Sequence, residues 1–239
     1  ESEIMQDQNI RKAIEMGIDK EGFCSVIMEG RGLPAKAAFP DSFSYGNEAV
    51  ETVSYDPEGA KKLLEESGWK DTDGDGYADK DGQKLTIDWL TYPTRLEQPK
   101  LAEYAQATLK EIGIDVVVNN TSDHMTYAAD GNFDVYVSST TTAPTGDPEY
   151  FFTSTVVGPK NYGKYENKEV TALTEKLHQA FEPEERAKLA TELQQKILDD
   201  DGFFFVSHLN MGIVTKSNVK GMAAHPCDYY EITADLDVE

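Results

Sequence analysis

The spacing of apolar positions changes along the chain and predicts alternating helices and strands. Residues 84–92 carry an apolar side chain at every second position from Leu85 to Trp89, which is strand spacing. Residues 96–112 place their apolar side chains on one helical face, and residues 114–118 return to alternation. Because two strands joined by a helix through short links run parallel with a right-handed crossover, the middle of the chain is predicted to be α/β.

The flanking segments extend this α/β prediction in both directions. Further helices are expected at 8–17, 20–29, 56–68, 123–130, 148–155, 167–181 and 184–199. Further strands are expected at 133–137, 203–209, 214–219 and 231–236. The Asp56-Pro57 pair is a strong helix start, since aspartate caps the first turn and proline fits it. We find no linker that divides the chain, so a single unit is expected.

The charge balance excludes several classes of partner. The 239 residues contain 22 Lys and Arg against 44 Asp and Glu, a formal net charge of −22. Such a surface repels the phosphates of nucleic acids and anionic membranes. Hydrophobic residues make up 39% of the chain, with 12 Tyr and 10 Phe, enough for a core. The longest apolar run, 203–206, is far too short to cross a bilayer. A soluble, acidic, globular chain is therefore expected.

The two cysteines, Cys24 and Cys227, are too few for a disulfide framework or a cysteine metal cluster. Cys24 lies among apolar residues of a predicted helix, where a thiol often packs as a small apolar side chain. Two unrelated structural thiols and a single bridge both remain open.

An acidic loop matches the first half of a calcium-binding loop. Oxygen-bearing residues occupy the first, third and fifth positions, glycine the sixth, and the seventh would contribute its backbone carbonyl. The candidate ligands are Asp71, Asp73, Asp75, Tyr77 and Asp79. The twelfth position is Gly82 where a bidentate glutamate belongs, and a strand follows. An Asp/Gly-rich turn without metal is the alternative, and calcium is the only cofactor that the sequence suggests.

No arrangement of residues predicts catalysis. The four histidines have no partner at helical spacing, and neither a serine-hydrolase elbow nor a phosphate-binding glycine loop is present. His208 follows the apolar run at 203–206, and it would either line a cleft or be a hydrogen-bonded histidine at the edge of the core. We therefore expect a binding protein and not an enzyme.

A polar loop at 138–148 follows the strand at 133–137, at the sheet edge where open α/β folds bind ligands. Tyr92 and Arg95 follow the strand at 84–92 and are expected on the same edge. Hydroxyls, an arginine and aromatic rings suit a small polar ligand. The candidate contacts are Tyr92, Arg95, Thr140, Thr141, Thr142, Asp147, Tyr162 and His208. Asp147-Pro148 is also a helix start, whether or not the loop lines a cleft.

Short motifs occur in a fixed order along almost the whole chain. They are Arg11-Lys-Ala13 leading to Ile18-Asp19-Lys20, Gly32-Leu-Pro34-Ala35, Tyr55-Asp56-Pro57 through Gly68-Trp69, Asp73-Gly-Asp75-Gly76, Lys110 through Ile114, Gly131-Asn-Phe133-Asp134, and Asp147-Pro148 before Phe151-Phe152. In this order and spacing they resemble family 5 extracellular solute-binding proteins, the peptide and nickel receptors of ABC importers.

The resemblance covers the C-terminal half of such a receptor. It implies one lobe over 1–239 with the fold of a type II periplasmic binding protein, a mixed sheet with helices on both faces. Residues at about 222–239 would return towards a first lobe. It further implies a monomer outside the cytoplasmic membrane, periplasmic or lipid-anchored, that captures a short peptide or a nickel chelate between its lobes and delivers it to a permease.

The ligand class stays open between peptide and metal chelate. Peptide receptors of this family often carry an acidic residue shortly before the Asp-Pro pair, and residues 140–146 contain none. The Ala143-Pro144 pair is more like the nickel receptors, yet no histidine lies in 150–166, where a chelate ligand would be expected. A different class, a calcium-stabilised structural or adhesive module, rests on the acidic loop.

Overall fold

The computed structural model describes residues 2–224 and 232–239. Its α-helices are α1 (Gln8–Met16), α2 (Lys20–Gly22), α3 (Pro57–Glu66), α4 (Glu97–Glu111), α5 (His124–Asp130), α6 (Glu149–Phe151), α7 (Lys168–Gln179) and α8 (Pro183–Asp199). Its strands are β1 (Gly32–Pro34), β2 (Asp79–Lys80), β3 (Gln83–Lys84), β4 (Thr86–Thr91), β5 (Asp115–Asn120), β6 (Val135–Tyr136), β7 (Ser207–Leu209), β8 (Val219–Lys220) and β9 (Asp237–Val238).

The central sheet has the strand order β5-β4-β6 and is parallel throughout. Trp89 of β4 lies opposite Val118 on one side and Val135 on the other. Because the crossovers β4-α4-β5 and β5-α5-β6 run in opposite directions, the right-handed rule places α4 and α5 on opposite faces. Antiparallel pairs form separate ladders, β1-β7, β2-β3 and β8-β9. The predicted α/β architecture is confirmed, and parallel and antiparallel pairing occur in different ladders.

The first hydrophobic core lies on one face of the central sheet. Ile87 and Trp89 of β4 are fully buried there, together with residues of α1, α3 and α4. Gly113, in the turn from α4 to β5, has φ +88° and brings its carbonyl within 2.7 Å of the Ala78 backbone N–H, which donates to it. A side chain at this position would crowd Ala78, so the turn requires glycine.

The second core lies between the α7–α8 hairpin and two aromatic segments of the chain. Phe39, Phe151 and Phe152 are buried against apolar side chains of both helices. The Phe39 ring meets the Phe151 ring edge to face at 6.0 Å. The predicted hairpin is confirmed, with the helices at 168–179 and 183–199.

Residues 203–206 connect the two cores. Phe203 and Phe205 pack against the second core, whereas Phe204 and Val206 pack against the first. The prediction that both faces of this segment are covered is therefore confirmed. The prediction of a strand over 203–209 is wrong in extent, because only Ser207–Leu209 pairs in a ladder, with Gly32–Pro34. The reason is that the partner segment leaves the ladder after Ala35, whose N–H donates to the Val206 carbonyl at 3.1 Å. The next two N–H groups, of Lys36 and Ala37, donate to Asn47 Oδ1.

Two predicted helices change their hydrogen-bond pattern. The helix expected at 20–29 is α2 followed by a π-helical turn at Phe23–Ile27. The helix expected at 148–155 is α6 followed by a similar turn at Phe152–Val156. Among the described residues, no helix is both long enough and apolar enough to cross a bilayer.

The C-terminal segment pairs with itself where it is described. Of the strands expected at 214–219 and 231–236, the structure has only β8 and β9, which form a short antiparallel ladder. Cys24 is buried, and burial together with the nearby Asp19 raises the pKa of its thiol to about 11. Cys227 lies outside the described residues, as does part of the proposed return at 222–239, so both predictions stay open.

Candidate functional site

The carboxyl ends of the three parallel strands bring several polar segments to one edge of the central sheet. Tyr92 directly follows β4, Thr121 follows β5, and the loop at 137–148 follows β6. This is the edge at which open parallel sheets bind ligands. The neighbourhood predicted for Tyr92 and the polar loop is thus formed by the strand order itself.

Four aromatic side chains form a contiguous cluster at this edge, which we call the aromatic wall: Tyr92, His124, Tyr136 and Tyr162. Tyr92 is buried, and the other three side chains are half-buried. The rings of Tyr92 and His124 are stacked, with centroids 4.2 Å apart and planes 22° from parallel. His124 Nδ1 lies 2.8 Å from the Tyr136 hydroxyl, and Tyr162 meets Tyr136 edge to face at 5.9 Å. Burial and the neighbouring Tyr92 and Tyr162 raise the pKa of Tyr136 to about 12, which keeps its hydroxyl protonated.

The polar loop is fixed at its beginning by β4 and α4. The Ser139 backbone N–H donates to the Tyr92 hydroxyl at 3.1 Å, and its side-chain hydroxyl donates to Glu97 Oε1 at 2.8 Å. The amide of Gln98, which is buried, lies 2.8 Å from the same hydroxyl. The start of α4 therefore holds the first residues of the loop against the aromatic wall.

The same loop is fixed at its end by Arg186 of α8. The Arg186 Nε donates to Asp147 Oδ2 at 2.8 Å and Nη2 to Asp147 Oδ1 at 2.6 Å, a bidentate pair. Nη2 also donates to Glu149 Oε2 at 2.9 Å, and Nη1 donates to the carbonyls of Leu177 and Ala180 at 2.7 and 2.6 Å. All five guanidinium N–H groups are used. We call this set of contacts the arginine clamp.

The arginine clamp also sets the charge state of its carboxylates. Burial acts to raise the pKa of Asp147, but hydrogen bonds from Arg186 and from the Glu149 backbone N–H lower it further than burial raises it. The pKa of Glu149 is lowered in the same way, with His178 and Arg186 acting against burial. The same hydrogen bonds raise the pKa of Arg186. Both carboxylates are consequently ionised at neutral pH.

The structure gives Asp147 two local roles. Both of its carboxylate oxygens accept from Arg186, and Oδ1 also accepts from the Glu149 N–H at 2.9 Å. The predicted helix-start role is therefore observed. Through its pairing with Arg186, the carboxylate also holds the end of the polar loop in place.

The middle of the loop presents free hydroxyls. Thr140 and Thr141 are exposed and Thr142 is half-buried, and none of their hydroxyls has a hydrogen-bond partner among the described residues. Arg95 is also exposed, and its guanidinium forms no ion pair within residues 2–224 or 232–239. These side chains are available to a ligand.

His208 lies in a different environment from the aromatic wall. It sits in β7, and its Nε2 is 3.1 Å from Oδ1 of Asn47, which is buried. Burial lowers the pKa of His208, with Asp41 acting in the opposite direction. The structure thus places His208 as a hydrogen-bonded histidine beside β1, the alternative that the sequence left open.

Two hollows on the surface lie away from the aromatic wall. One, of about 540 Å³, lies between the outer face of β4–β5 and the turn at 131–134. The other, of about 410 Å³, lies beside the first turns of α8 at Ser44. Neither is lined by a residue predicted to contact the ligand.

The acidic loop brings together three of its five predicted ligands. The carboxylates of Asp71, Asp73 and Asp79 lie within 4.8 Å of one another. Asp75 instead pairs with Lys84 Nζ at 2.9 Å, and the same ammonium lies 4.0 Å from the centre of the Tyr77 ring. The loop thus has an acidic pocket of three carboxylates and a separate ion pair at its edge.

The sequence did not predict four residues that help to form the site: His124, Glu97, Gln98 and Arg186. The same sheet-edge argument that selected Tyr92 applies to His124, which follows β5 by four residues, and it would have found this histidine. Arg186 lies 39 residues from its partner Asp147, on a helix with no local signal for a loop contact. Only tertiary packing reveals it.

Replacement of Arg186 by lysine is expected to reduce stability, because an ammonium cannot supply five directed donors and leaves carbonyl and carboxylate groups unpaired. We expect a loss of about 2–4 kcal/mol in the free energy of unfolding, measured by urea denaturation. The control is Lys196→Met on the same helix, which removes a surface ion pair with Glu169 and is expected to change stability by at most about 1 kcal/mol. Equal effects of the two substitutions would contradict the clamp.

The stability difference between wild type and Arg186→Lys is also expected to depend on pH. A carboxyl whose pKa is lowered by folding stabilises the folded state above its ordinary pKa, and this contribution is lost as the pH falls through the lowered value. The ordinary values are 3.8 for Asp147 and 4.5 for Glu149. The stability difference between wild type and Arg186→Lys should therefore be constant above about pH 5 and become smaller below about pH 4. A stability difference that stays constant down to pH 3 would show that the ionised carboxylates of Asp147 and Glu149 do not contribute to the stabilisation by Arg186.

Comparison with known proteins places this geometry in a family context. The oligopeptide-binding protein AppA of Bacillus subtilis is 28% identical over 239 residues, an alignment that covers 97% of this chain and 44% of AppA. The nickel-binding protein NikA of Staphylococcus aureus is 26% identical over 235 residues, covering 97% of this chain and 46% of NikA. The chain therefore spans about half the length of the curated relatives that it matches.

Solved structures agree with the sequence relatives. AppA in complex with a nonapeptide superimposes with a TM-score of 0.81 at 26% identity, covering 96% of this chain and 47% of AppA. NikA of Staphylococcus aureus in complex with Ni(L-His)2 shares the fold with a TM-score of 0.79 at 24% identity, covering 98% of this chain and 49% of NikA. The family model for the middle region of bacterial extracellular solute-binding proteins, family 5, matches residues 1–163. This chain belongs to the family 5 bacterial extracellular solute-binding proteins.

Proposed function

We propose that this chain is one lobe of an extracytoplasmic receptor of an ABC importer, and that it forms one wall of the ligand cleft. The observation that carries the proposal is the polar loop, which is fixed at both ends and presents uncommitted hydroxyls beside the aromatic wall. A loop held by Ser139 at one end and Asp147 at the other pays little ordering entropy when a ligand binds. Membership of a solute-binding family and the absence of paired catalytic groups in the sequence support binding without chemistry.

The mechanism follows from the share of the receptor that this chain represents, about half the length of its relatives. One lobe provides one side of a cleft, so a second lobe has to supply the remaining ligand contacts. A ligand that touches both lobes stabilises the closed form over the open form, and the permease would recognise closure. We propose a monomer that is periplasmic or lipid-anchored, with a short peptide or a metal chelate as its ligand.

Binding should depend on the polar loop and on both lobes. In the full-length receptor, replacement of both Thr140 and Thr141 by alanine is expected to weaken ligand binding about 30-fold, since each hydroxyl contributes about 1 kcal/mol. Isothermal titration with dipeptides to nonapeptides and with nickel–histidine would measure this loss. Thr171→Ala, on the exposed surface of α7, is the matched control and should leave the affinity unchanged.

The isolated chain provides the complementary test. Because it holds one wall only, we expect weak or undetectable binding of the same ligands. Tight binding by the isolated chain would contradict the two-lobe mechanism. Failure of the full-length receptor to bind any of these ligands would contradict the proposed ligand classes.

We further propose that the acidic loop holds a calcium ion with a structural role. The convergence of the Asp71, Asp73 and Asp79 carboxylates supports this, because hard cations prefer clustered carboxylate oxygens. The missing twelfth-position glutamate and the ion pair of Asp75 reduce the number of ligands, so we expect weak binding.

Calcium at millimolar concentration should raise the melting temperature of the chain by a few degrees, through preferential binding to the folded state. Asp73→Asn should abolish this increase. Asp81→Asn, at a position with φ +54° outside the three-carboxylate group, should preserve it. An unchanged melting temperature in calcium would identify the loop as an Asp/Gly-rich turn without metal.

A further inference from the structure

A buried glutamine of α4 lies where the ladder between β4 and β6 ends. Gln98 is 3% exposed and stands in the first turn of the helix. Atoms of its amide lie 3.3 Å from Thr91 Oγ1, 3.2 Å from the Val137 carbonyl oxygen and 3.0 Å from the Ser139 backbone nitrogen. One buried amide therefore meets the end of β4, the end of β6 and the beginning of the polar loop.

The fixed roles of the backbone groups determine how this amide is oriented. A carbonyl only accepts and a backbone N–H only donates, so Gln98 Nε2 donates to the Val137 carbonyl and Oε1 accepts from the Ser139 N–H. The opposite orientation would place two oxygens and two N–H groups against each other in a buried position, which is costly. The Ser139 N–H is shared with the Tyr92 hydroxyl at 3.1 Å. The Ser139 hydroxyl lies 2.8 Å from both Oε1 and the Glu97 carboxylate, and either oxygen can accept its proton.

The two backbone contacts of Gln98 have the register of the parallel ladder. The Leu90 carbonyl of β4 accepts from the Val137 N–H at 3.1 Å. Because bonds in a parallel ladder recur at every second residue, the next step would join the Tyr92 N–H to the Val137 carbonyl and the Ser139 N–H to the Tyr92 carbonyl. β4 ends one residue before Tyr92, and the Gln98 amide makes both of these bonds instead.

We propose that Gln98 is a positioning residue of the ligand cleft, whose side-chain amide extends the β4–β6 ladder by one step and thereby fixes where the polar loop begins. The inference rests on the proposed function, since the polar loop is the candidate ligand surface. Thr140 directly follows Ser139, so any displacement of Ser139 moves the hydroxyls that the loop presents. Gln98 itself is buried and acts on the ligand through Ser139.

The first test measures hydrogen–deuterium exchange of the Ser139 backbone N–H in the full-length receptor without ligand. Gln98→Leu keeps a side chain of similar size and removes both backbone contacts, so exchange at Ser139 is expected to be about 5-fold faster. The control is Gln106→Leu on the same helix, which removes a donor to the Val116 carbonyl of β5 at 2.6 Å. Exchange at Ser139 should keep its wild-type rate in the control.

Unchanged exchange at Ser139 in Gln98→Leu would overturn the proposal. Equal acceleration in Gln98→Leu and Gln106→Leu would also overturn it, because the effect would then follow from a general loss of stability.

The second test uses the conservative variant Gln98→Glu to separate hydrogen bonding from the filling of space. An ionised carboxylate accepts from the Ser139 N–H but has no proton for the Val137 carbonyl, whereas a neutral carboxyl group makes both contacts. Burial and the nearby Glu97 carboxylate favour the neutral form as the pH falls. We expect exchange at Ser139, taken relative to wild type at the same pH, to be faster at about pH 8 and to return towards the wild-type rate at about pH 5. Gln98→Leu should show no such recovery, and the absence of recovery in Gln98→Glu would contradict the ladder contact.

Ligand titration then connects the contact to the cleft. The probes are dipeptides to nonapeptides and nickel–histidine, and Gln98→Leu should weaken binding of any probe that the wild-type receptor binds by about 10-fold. Gln106→Leu should bind as wild type does. Faster exchange at Ser139 with wild-type affinity would overturn the positioning role and leave the receptor function intact. Failure of the wild-type receptor to bind any probe would overturn the proposed ligand classes, while exchange at Ser139 would still decide whether Gln98 holds the loop.

Discussion

Arg186 donates all five of its N–H groups, three to the carboxylates of Asp147 and Glu149 and two to backbone carbonyls at the end of α7. The carboxylate contacts hold the candidate ligand loop. A partly buried guanidinium is stable only when its donors are paired, because an unpaired charged group away from water is costly. The pairing therefore ties the loop at the sheet edge to the α7–α8 hairpin. A change in either partner would shift the loop that carries Thr140 and Thr141.

The α7–α8 hairpin can act as an anchor because it belongs to a core of its own. The short segment 203–206 joins that core to the core beneath the central sheet by alternating its side chains between them. Arg11 of α1 strengthens this junction by donating to the carbonyls of Asp200 and Asp201, just beyond α8, at 2.9 and 3.0 Å. The two cores thus hold the aromatic wall and the arginine clamp in a fixed relation.

Much of the fold was predictable because its signals are local. The apolar period marked α4 and the strands on either side of it, and Asp56 and Asp19 accept from helix N–H groups as their positions indicated. Part of the site was predictable for the same reason, since Tyr92 and the polar loop directly follow strands whose parallel order brings their ends together. The extent of the strand at 203–209 was not predictable, because tertiary packing determines which segment pairs with it.

The sequence by itself determined the α/β class, the helix starts, the acidic surface and the family, because composition, periodicity and motif order reside in neighbouring residues. Only the tertiary structure decided which side chains meet. Asp147 reaches Arg186 across 39 positions of the chain, and His208 reaches Asn47 across 161. Contacts at such separations arise from how helices and strands pack, and the chain carries no local pattern that specifies them.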